Sequence, residues 1–264
     1  MGKTLVTDLK TDEDFRNFYE KEYYRHPSKT EIPEDGDFMY GVVLKHLKPY
    51  LKPGIKAADV GCNSGNLSLY MAKHGCNVLG IDYARNVIDG ARASAEYYRI
   101  KNVEFKAMDF VKEWDRTDEF DFVFCCNVLE HVREDREFVE KFYQMLKPGG
   151  KLLLIIPTSY SSMYRTFKFF TGRFYSDDEV GHLRRYNRRE CRAIVEQTGF
   201  IIKKVVYIDS ILREWFIVSK WLRPFTMIWK QPFIKRIFNF TDSVMAKLFI
   251  YPSEVCIHAY KKEN

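Results

Sequence analysis

Between Lys56 and Ile156 the sequence alternates short apolar runs with longer amphipathic segments, and this alternation leaves few architectures open. The runs at 56–60, 77–82, 103–107, 120–126 and 151–156 have the length and low polarity of buried strands. Segments 66–74, 84–98 and 135–146 carry helical periodicity, and Lys147-Pro148-Gly149-Gly150 reads as the turn into the last run. Apolar strands joined by helices predict a parallel sheet covered on both faces. Ligands of such sheets bind beyond the carboxyl ends of the strands. Chemistry is therefore to be sought at those ends.

The first strand end is Ala58-Asp59-Val60-Gly61-Cys62-Asn63-Ser64-Gly65-Asn66. Gly61 and Gly65 take positive φ at little cost, and asparagine, here Asn63, is among the few other residues that do. A helix beginning near Asn66 aims its free N–H groups back at whatever the turn holds. Gly-x-x-x-Gly alone is a weak signal, and an ordinary strand–turn–helix connection is the competing reading. Asp82 ends the next strand about 20 residues after Gly61, the spacing that sets an acid opposite a ribose. The same residue can cap helix 84–98.

Together these stretches resemble class I S-adenosylmethionine-dependent methyltransferases, through Asp59-Val60-Gly61-Cys62-Asn63-Ser64-Gly65 and Asp82. Asn63 stands where that family usually has its central glycine. The nicotinamide fingerprint Gly-x-Gly-x-x-Gly fits worse, because positions 63 and 66 are asparagine. The resemblance implies an α/β fold with a Rossmann-like seven-stranded, mostly parallel sheet and helices on both faces. It also implies an antiparallel last strand with a helical insertion before it. The implied cofactor is S-adenosyl-L-methionine. Asp59, Gly61, Cys62, Asn63 and Gly65 then hold its methionine end, and Asp82, with Tyr83 beside it, its ribose. Met108, Asp109 and Phe110 take the adenine, and Cys126 and Asn127 flank the donor from the fourth strand. Asp109 and Asn127 can instead cap the helices that follow them.

Asn127-Val128-Leu129-Glu130-His131-Val132 is similar to the ubiquinone-biosynthesis O-methyltransferases within that family. Those enzymes have a further acid where Asn127 stands, and use it with the Glu-His pair for a divalent metal. Glu130 and His131 alone make a thin site for a hard cation, so no metal is expected. His131, beside Glu130, is a candidate base for a hydroxyl or phenol; a structural histidine bonded to Glu130 is the competing reading. Gly181-His182-Leu183-Arg184-Arg185-Tyr186 is similar to a run in the same group. There His182 can face the acceptor and Arg184 or Arg185 can hold an anionic group on it. A solvated basic face is the alternative. The aromatic stretch 160–175 is expected to wall the acceptor pocket or pack under the extra helices.

Four regions follow: a helix and lid over 1–37, a core over 38–208, an insertion over 209–253, and the last strand and tail over 254–264. The N-terminal helix is expected over 11–26, with Phe15, Phe18, Tyr19, Tyr23 and Tyr24 on one side. The insertion reads as two amphipathic helices. Ile211, Leu212 and Trp215 begin one apolar face, and Ile234, Ile237, Phe238, Thr241, Val244, Met245, Leu248 and Phe249 mark the other. Arg213, Lys220, Lys235, Arg236 and Lys247 are expected on the opposite, solvated sides. Such helices either pack on their own domain or meet a membrane or an apolar substrate.

A net charge of +6 admits an anionic membrane, a nucleic acid or an acidic substrate as partner. No RNA-binding motif and no long Lys/Arg run is present, which disfavours nucleic acid. The 6 cysteines include no Cys-x-x-Cys pair and read as reduced, mostly buried thiols, neither a disulfide frame nor a zinc site. With neither a leader pattern nor a long apolar span, the expected location is cytoplasmic, with peripheral membrane contact through 210–250 as an extension. The expected activity is in-line O-methylation of a small or lipid-like acceptor. The alternatives are RNA methylation, and a membrane-associated protein that binds the donor without transfer.

Overall fold

A computed structural model of the protein describes residue 14 and residues 30–171, 181–218, 232–248 and 251–263. The strands are β1 (Lys56–Val60), β2 (Asn77–Asp82), β3 (Val103–Ala107), β4 (Phe120–Cys126), β5 (Leu146–Pro157), β6 (Ile201–Ile208) and β7 (Glu254–Tyr260). The helices are α1 (Gly41–Leu47), α2 (Asn66–Lys73), α3 (Arg85–Tyr97), α4 (Phe110–Glu113), α5 (Asp135–Met145), α6 (Ser162–Thr171), α7 (Arg188–Glu196), α8 (Ile211–Val218) and α9 (Pro232–Lys247).

The strands form one seven-stranded sheet in the order β3-β2-β1-β4-β5-β7-β6. β7 runs antiparallel to β5 and β6, and the remaining pairings are parallel. This is the fold the resemblance implies. The chain steps outward from β1 to β3 and returns to place β4 on the other side of β1. That reversal opens a crevice at the carboxyl ends of β1 and β4.

Both faces of the sheet are buried, for a reason visible in each strand. Ala57, Phe122, Phe124, Leu153 and Ile155 pack under Val43, Leu44 and Leu47 of α1 and Met71 of α2. Their neighbours Ala58, Val123, Cys125, Leu152 and Leu154 pack on the opposite face, under Phe138 and Phe142 of α5 and Cys191 and Val195 of α7. Successive side chains point to opposite faces, so continuous apolar runs suit a sheet covered twice.

Caps and turns follow local chemistry. Asn187 and Glu190 form a reciprocal capping box at the start of α7, and Gly199 takes φ 95° after its end. Asp109 caps α4, accepting from the Lys112 N–H at 3.3 Å. Neither Asp82 nor Asn127 is an N-cap: α3 starts from Ala84, and the 3₁₀ turn Leu129–His131 starts from Val128. Two expected boundaries move. Lys147–Gly150 is not a free turn, because Leu146 already pairs with Phe120 across an irregular register and β5 begins there. The helix expected over 38–50 is α1 followed by a 3₁₀ turn at Lys48–Tyr50, with Pro49 in its first turn.

The insertion departs most from expectation. Arg213 is not solvated; it is 0% exposed. Its Nε lies 2.9 Å from Asp209 Oδ1 and 3.1 Å from Asp242 Oδ2, and Nη2 donates to Asn239 Oδ1 at 2.7 Å. Nη1 donates to the Phe38 carbonyl, and the guanidinium sits over the Phe38 and Phe238 rings. This ion pair turns Phe238, Asp242 and Ala246 of α9 inward and leaves Ile237, Val244 and Leu248 exposed. The expected apolar face of α9 is thus split between core and solvent. Helix 11–26, Phe249 and the side chain of Trp215 lie outside the described residues, as do the Phe167 side chain and residues 172–175. Of that stretch Phe169 and Phe170 are solvent-exposed rather than a pocket wall. No helix among the described residues is long and apolar enough to cross a membrane.

Candidate functional site

Directly after Val60 the chain turns through Gly61 (φ 78°), Asn63 (φ 50°) and Gly65 (φ 81°), as their residue types predict. Gly61 and Cys62 N–H donate to the Ile81 carbonyl at 2.7 and 2.9 Å, tying the turn to β2. The glycines make room for protein as well as for ligand. A Cβ on Gly61 would meet Val128 Cγ2 at 2.1 Å, and one on Gly65 would meet Phe105 Cζ at 2.7 Å.

Asp82 braces the same turn from the end of β2. Its Oδ2 accepts from the Asn63 N–H at 2.8 Å and its Oδ1 from the Ala84 N–H at 3.0 Å. Burial pushes this carboxyl up, and the backbone N–H groups of Ala84, Asn63 and Tyr83 pull it back. Asp59 is more deeply buried and accepts from Ser68 Oγ at 2.5 Å. Burial drives it up to about 7, with the Ser68 bond opposing and the Asp82 charge adding.

These residues open on a cavity of about 830 Å³. Eleven of the twelve expected cofactor residues line it: Asp59, Gly61, Cys62, Asn63, Asp82, Tyr83, Met108, Asp109, Phe110, Cys126 and Asn127. Gly65 does not; its place is in the packing of α2 against Phe105 and Ala91. The cavity is also lined by His131, Arg133, Glu137 and Lys141.

The three catalytic candidates, far apart in sequence, form one cluster. Glu130 is 0% exposed, and its Oε1 lies 3.8 Å from His131 Nε2 and 3.6 Å from His182 Nε2. The two rings meet edge to face with centroids 4.8 Å apart. Leu183 N–H donates to the Glu130 carbonyl at 2.8 Å, holding the His182 loop against the cluster. Of the three only His131 lines the cavity. One carboxylate oxygen and two imidazole nitrogens here lie within 4.8 Å of one another, a set able to hold a metal ion. The sequence reading of a thin Glu130–His131 pair lacked the second imidazole.

The arginines serve the loop instead of the cavity. Arg184 Nη1 pairs with Asp135 Oδ2 at 2.6 Å, and Tyr186 Oη donates to the same oxygen at 2.9 Å. Arg185 Nη1 donates to the Thr158 carbonyl at 3.3 Å and the guanidinium lies over Tyr164. Two contributors escaped the sequence reading. Tyr40, before α1, lines the cavity. Glu254 Oε1 accepts from Asn127 Nδ2 at 2.7 Å. Only the antiparallel sense of β7, which starts it at the ligand end of the sheet, pointed to Glu254.

Residues 40–205 match a methyltransferase domain family. The chain is 32% identical over 130 residues to a ubiquinone biosynthesis O-methyltransferase of Coxiella burnetii, covering 49% of this chain and 53% of that one. It is 36% identical over 105 residues to phosphoethanolamine N-methyltransferase 3 of Arabidopsis thaliana, covering 39% of this chain and 21% of that one. The chain thus spans about half the length, or less, of these curated relatives. Among solved structures, Haemonchus contortus phosphoethanolamine N-methyltransferase 2 in complex with S-adenosyl-L-methionine superposes with TM-score 0.63 at 20% identity, over 95% of this chain and 60% of that one. The [4+2]-cyclase SpnF superposes with TM-score 0.65 at 16% identity, over 89% and 85%.

Proposed function

The chain belongs to the methyltransferase domain family, and from that premise we propose that it transfers a methyl group from S-adenosyl-L-methionine to an oxygen of a small or lipid-like acceptor. The observation that carries this reading is that His131 lines the same cavity as the glycine–asparagine turn and Asp82. The residues suit the donor. Both Asp82 oxygens accept backbone bonds, and a carboxylate with about four acceptor sites keeps capacity for a ribose hydroxyl. Asn66 and Leu67 line the cavity at the start of α2, which no side chain caps, and their N–H groups suit the donor's carboxylate.

When bound, S-adenosyl-L-methionine supplies a methyl group already activated on a sulfonium. The chain then has to orient the acceptor, exclude water and take its proton. His131 Nδ1 lies 3.1 Å from the Gly181 carbonyl. A carbonyl only accepts, so Nδ1 carries the hydrogen and Nε2 keeps its lone pair for the acceptor. Once Nε2 is protonated, the imidazolium faces the Glu130 carboxylate at 3.8 Å. His182 shares that carboxylate and holds it in place. This role for His131 requires no resident metal.

The test is transfer of a tritiated methyl group from the donor to lipid, quinone, phenol and RNA fractions. Label in a lipid, quinone or phenol fraction is expected, and label confined to RNA overturns the reading. His131→Ala should then lower kcat about 10²- to 10⁴-fold. Activity that survives exhaustive chelation keeps His131 as the base; loss restored by a divalent cation reassigns the Glu130–His131–His182 cluster to a metal.

A peripheral membrane role for 210–250 rests on a separate observation. Phe233, Ile237, Phe240, Val244 and Leu248 form an exposed apolar stripe along α9, flanked by exposed Arg236 and Lys247. Apolar side chains bordered by cations suit an anionic bilayer surface. Such a surface would bring a lipid-soluble acceptor to the cavity.

A further inference from the structure

The sheet face opposite the Glu130 cluster carries a second group of ligating side chains that methyl transfer does not use. Cys256 and His258 alternate on β7 and so project to the same face, where they meet His46 of α1. His46 Nδ1 lies 3.1 Å from His258 Nε2, and Cys256 Sγ lies 3.4 Å from that same nitrogen. One atom from each of the three lies within 4.8 Å of the others. None of them lines the donor cavity.

The geometry points to a zinc site built from His46 Nδ1, Cys256 Sγ and His258 Nε2. Tetrahedral zinc, with Zn–N of about 2.0–2.1 Å and Zn–S of about 2.3 Å, needs N···N edges of about 3.3 Å and N···S edges of about 3.6 Å. The two measured edges fall about 0.2 Å short of these, so the ligands need open only slightly to admit the ion. A thiolate with two imidazoles and no carboxylate favours zinc over magnesium or calcium.

The surroundings supply what a metal-bound histidine needs behind it. His258 Nδ1 lies 2.6 Å from Tyr50 Oη, and the Tyr50 ring stacks on Phe122 at 4.7 Å and 5°. With the ion on Nε2, Nδ1 carries the proton and donates it to that fixed oxygen, which sets the tautomer and the ring plane. The ligating sulfur is a thiolate, so binding releases its proton. Lys204, cross-strand from His258, opposes the ion, but it is exposed and screened by water.

The ion would clasp α1 to β7, across 212 positions of sequence between His46 and His258. Sequence spacing hides such a site, since neither Cys-x-x-Cys nor His-x₃-His occurs here.

The test uses the full chain stripped by chelator and titrated with Co²⁺, whose thiolate charge-transfer band reports the sulfur ligand directly. One equivalent should raise the band and Zn²⁺ should displace it. The apparent affinity should rise with pH, because the sulfur gives up its proton to bind. Cys256→Ser should abolish the band. His46→Gln, at a half-buried position, should weaken binding at least tenfold and remove the rise in unfolding midpoint that the metal confers. A folded wild-type chain that shows no band, or a band that persists in Cys256→Ser, overturns the site. The Glu130 cluster has no sulfur and gives no such band, so this outcome is independent of the methyl-transfer reading.

Discussion

Asp82 does two things with one carboxylate. It fixes the β1–α2 turn through the Asn63 N–H, and it presents its remaining lone pairs to the cavity. Removing it should therefore weaken donor binding in calorimetry by about ten- to a hundredfold, the worth of a charged hydrogen bond or two. Unchanged affinity in a folded Asp82→Ala would remove the ribose assignment. Asp59 carries a different consequence. Burial takes it up to about 7 from 3.8, so the folded protein holds a proton that the unfolded chain has released between those values. Stability from this residue is then greatest below about pH 4 and falls as pH rises to about 7, by on the order of 4 kcal/mol at most. Asp59→Asn should flatten that slope in urea titrations at pH 4, 5.5 and 7; an unchanged slope would show that Asp59 titrates normally. Both acids were legible from sequence as strand-end residues. Asp59's proton was not, because it depends on Ser68 and on burial, which no spacing encodes.

At the scale of elements, the core strands and helices were readable because each boundary carries its own chemistry. Asn187 and Glu190 announce α7, Gly65 opens α2 at φ 81°, β1 stops before Gly61, and β2 ends at Asp82. The insertion was not readable to the same depth. Periodicity marks an apolar stripe on α9, but it cannot show that Arg213 reaches across 29 positions to Asp242 and turns the helix about that contact. Arg213→Met should cost about 3–5 kcal/mol in urea unfolding, because Asp209 and Asp242 lose their shared buried cation. Burial and Glu254 already push Asp209 up, so the loss should be smaller at low pH, where it is protonated. The exposed side of α9 has its own test. Phe233→Ser with Phe240→Ser should cut co-sedimentation with anionic vesicles while leaving the unfolding midpoint within a few degrees. Equal co-sedimentation, or none by the wild type, removes the membrane role. The clustering of His182 with Glu130 and His131 was hidden in the same way, by a loop brought home through long-range bonds such as Leu183–Glu130 and Arg184–Asp135.

For the molecule as a whole, one sheet carries both the donor turn and the strand that ends the fold. Binding at the turn should therefore stabilise the whole unit. Donor at a hundred times its Kd should raise the unfolding free energy by about 2.7 kcal/mol. A gain confined to one of two transitions would mean that the insertion unfolds apart from the core. The joint between them is narrow. Ile208 is paired with Glu254, and the Ser253 N–H donates to the Asp209 carbonyl at 2.7 Å, so residues 210–252 leave and re-enter the sheet at neighbouring points. A short hairpin loop could close the same gap. The excursion is thus a cassette in evolutionary terms: its length and sequence can change while the strands beside it keep their pairing.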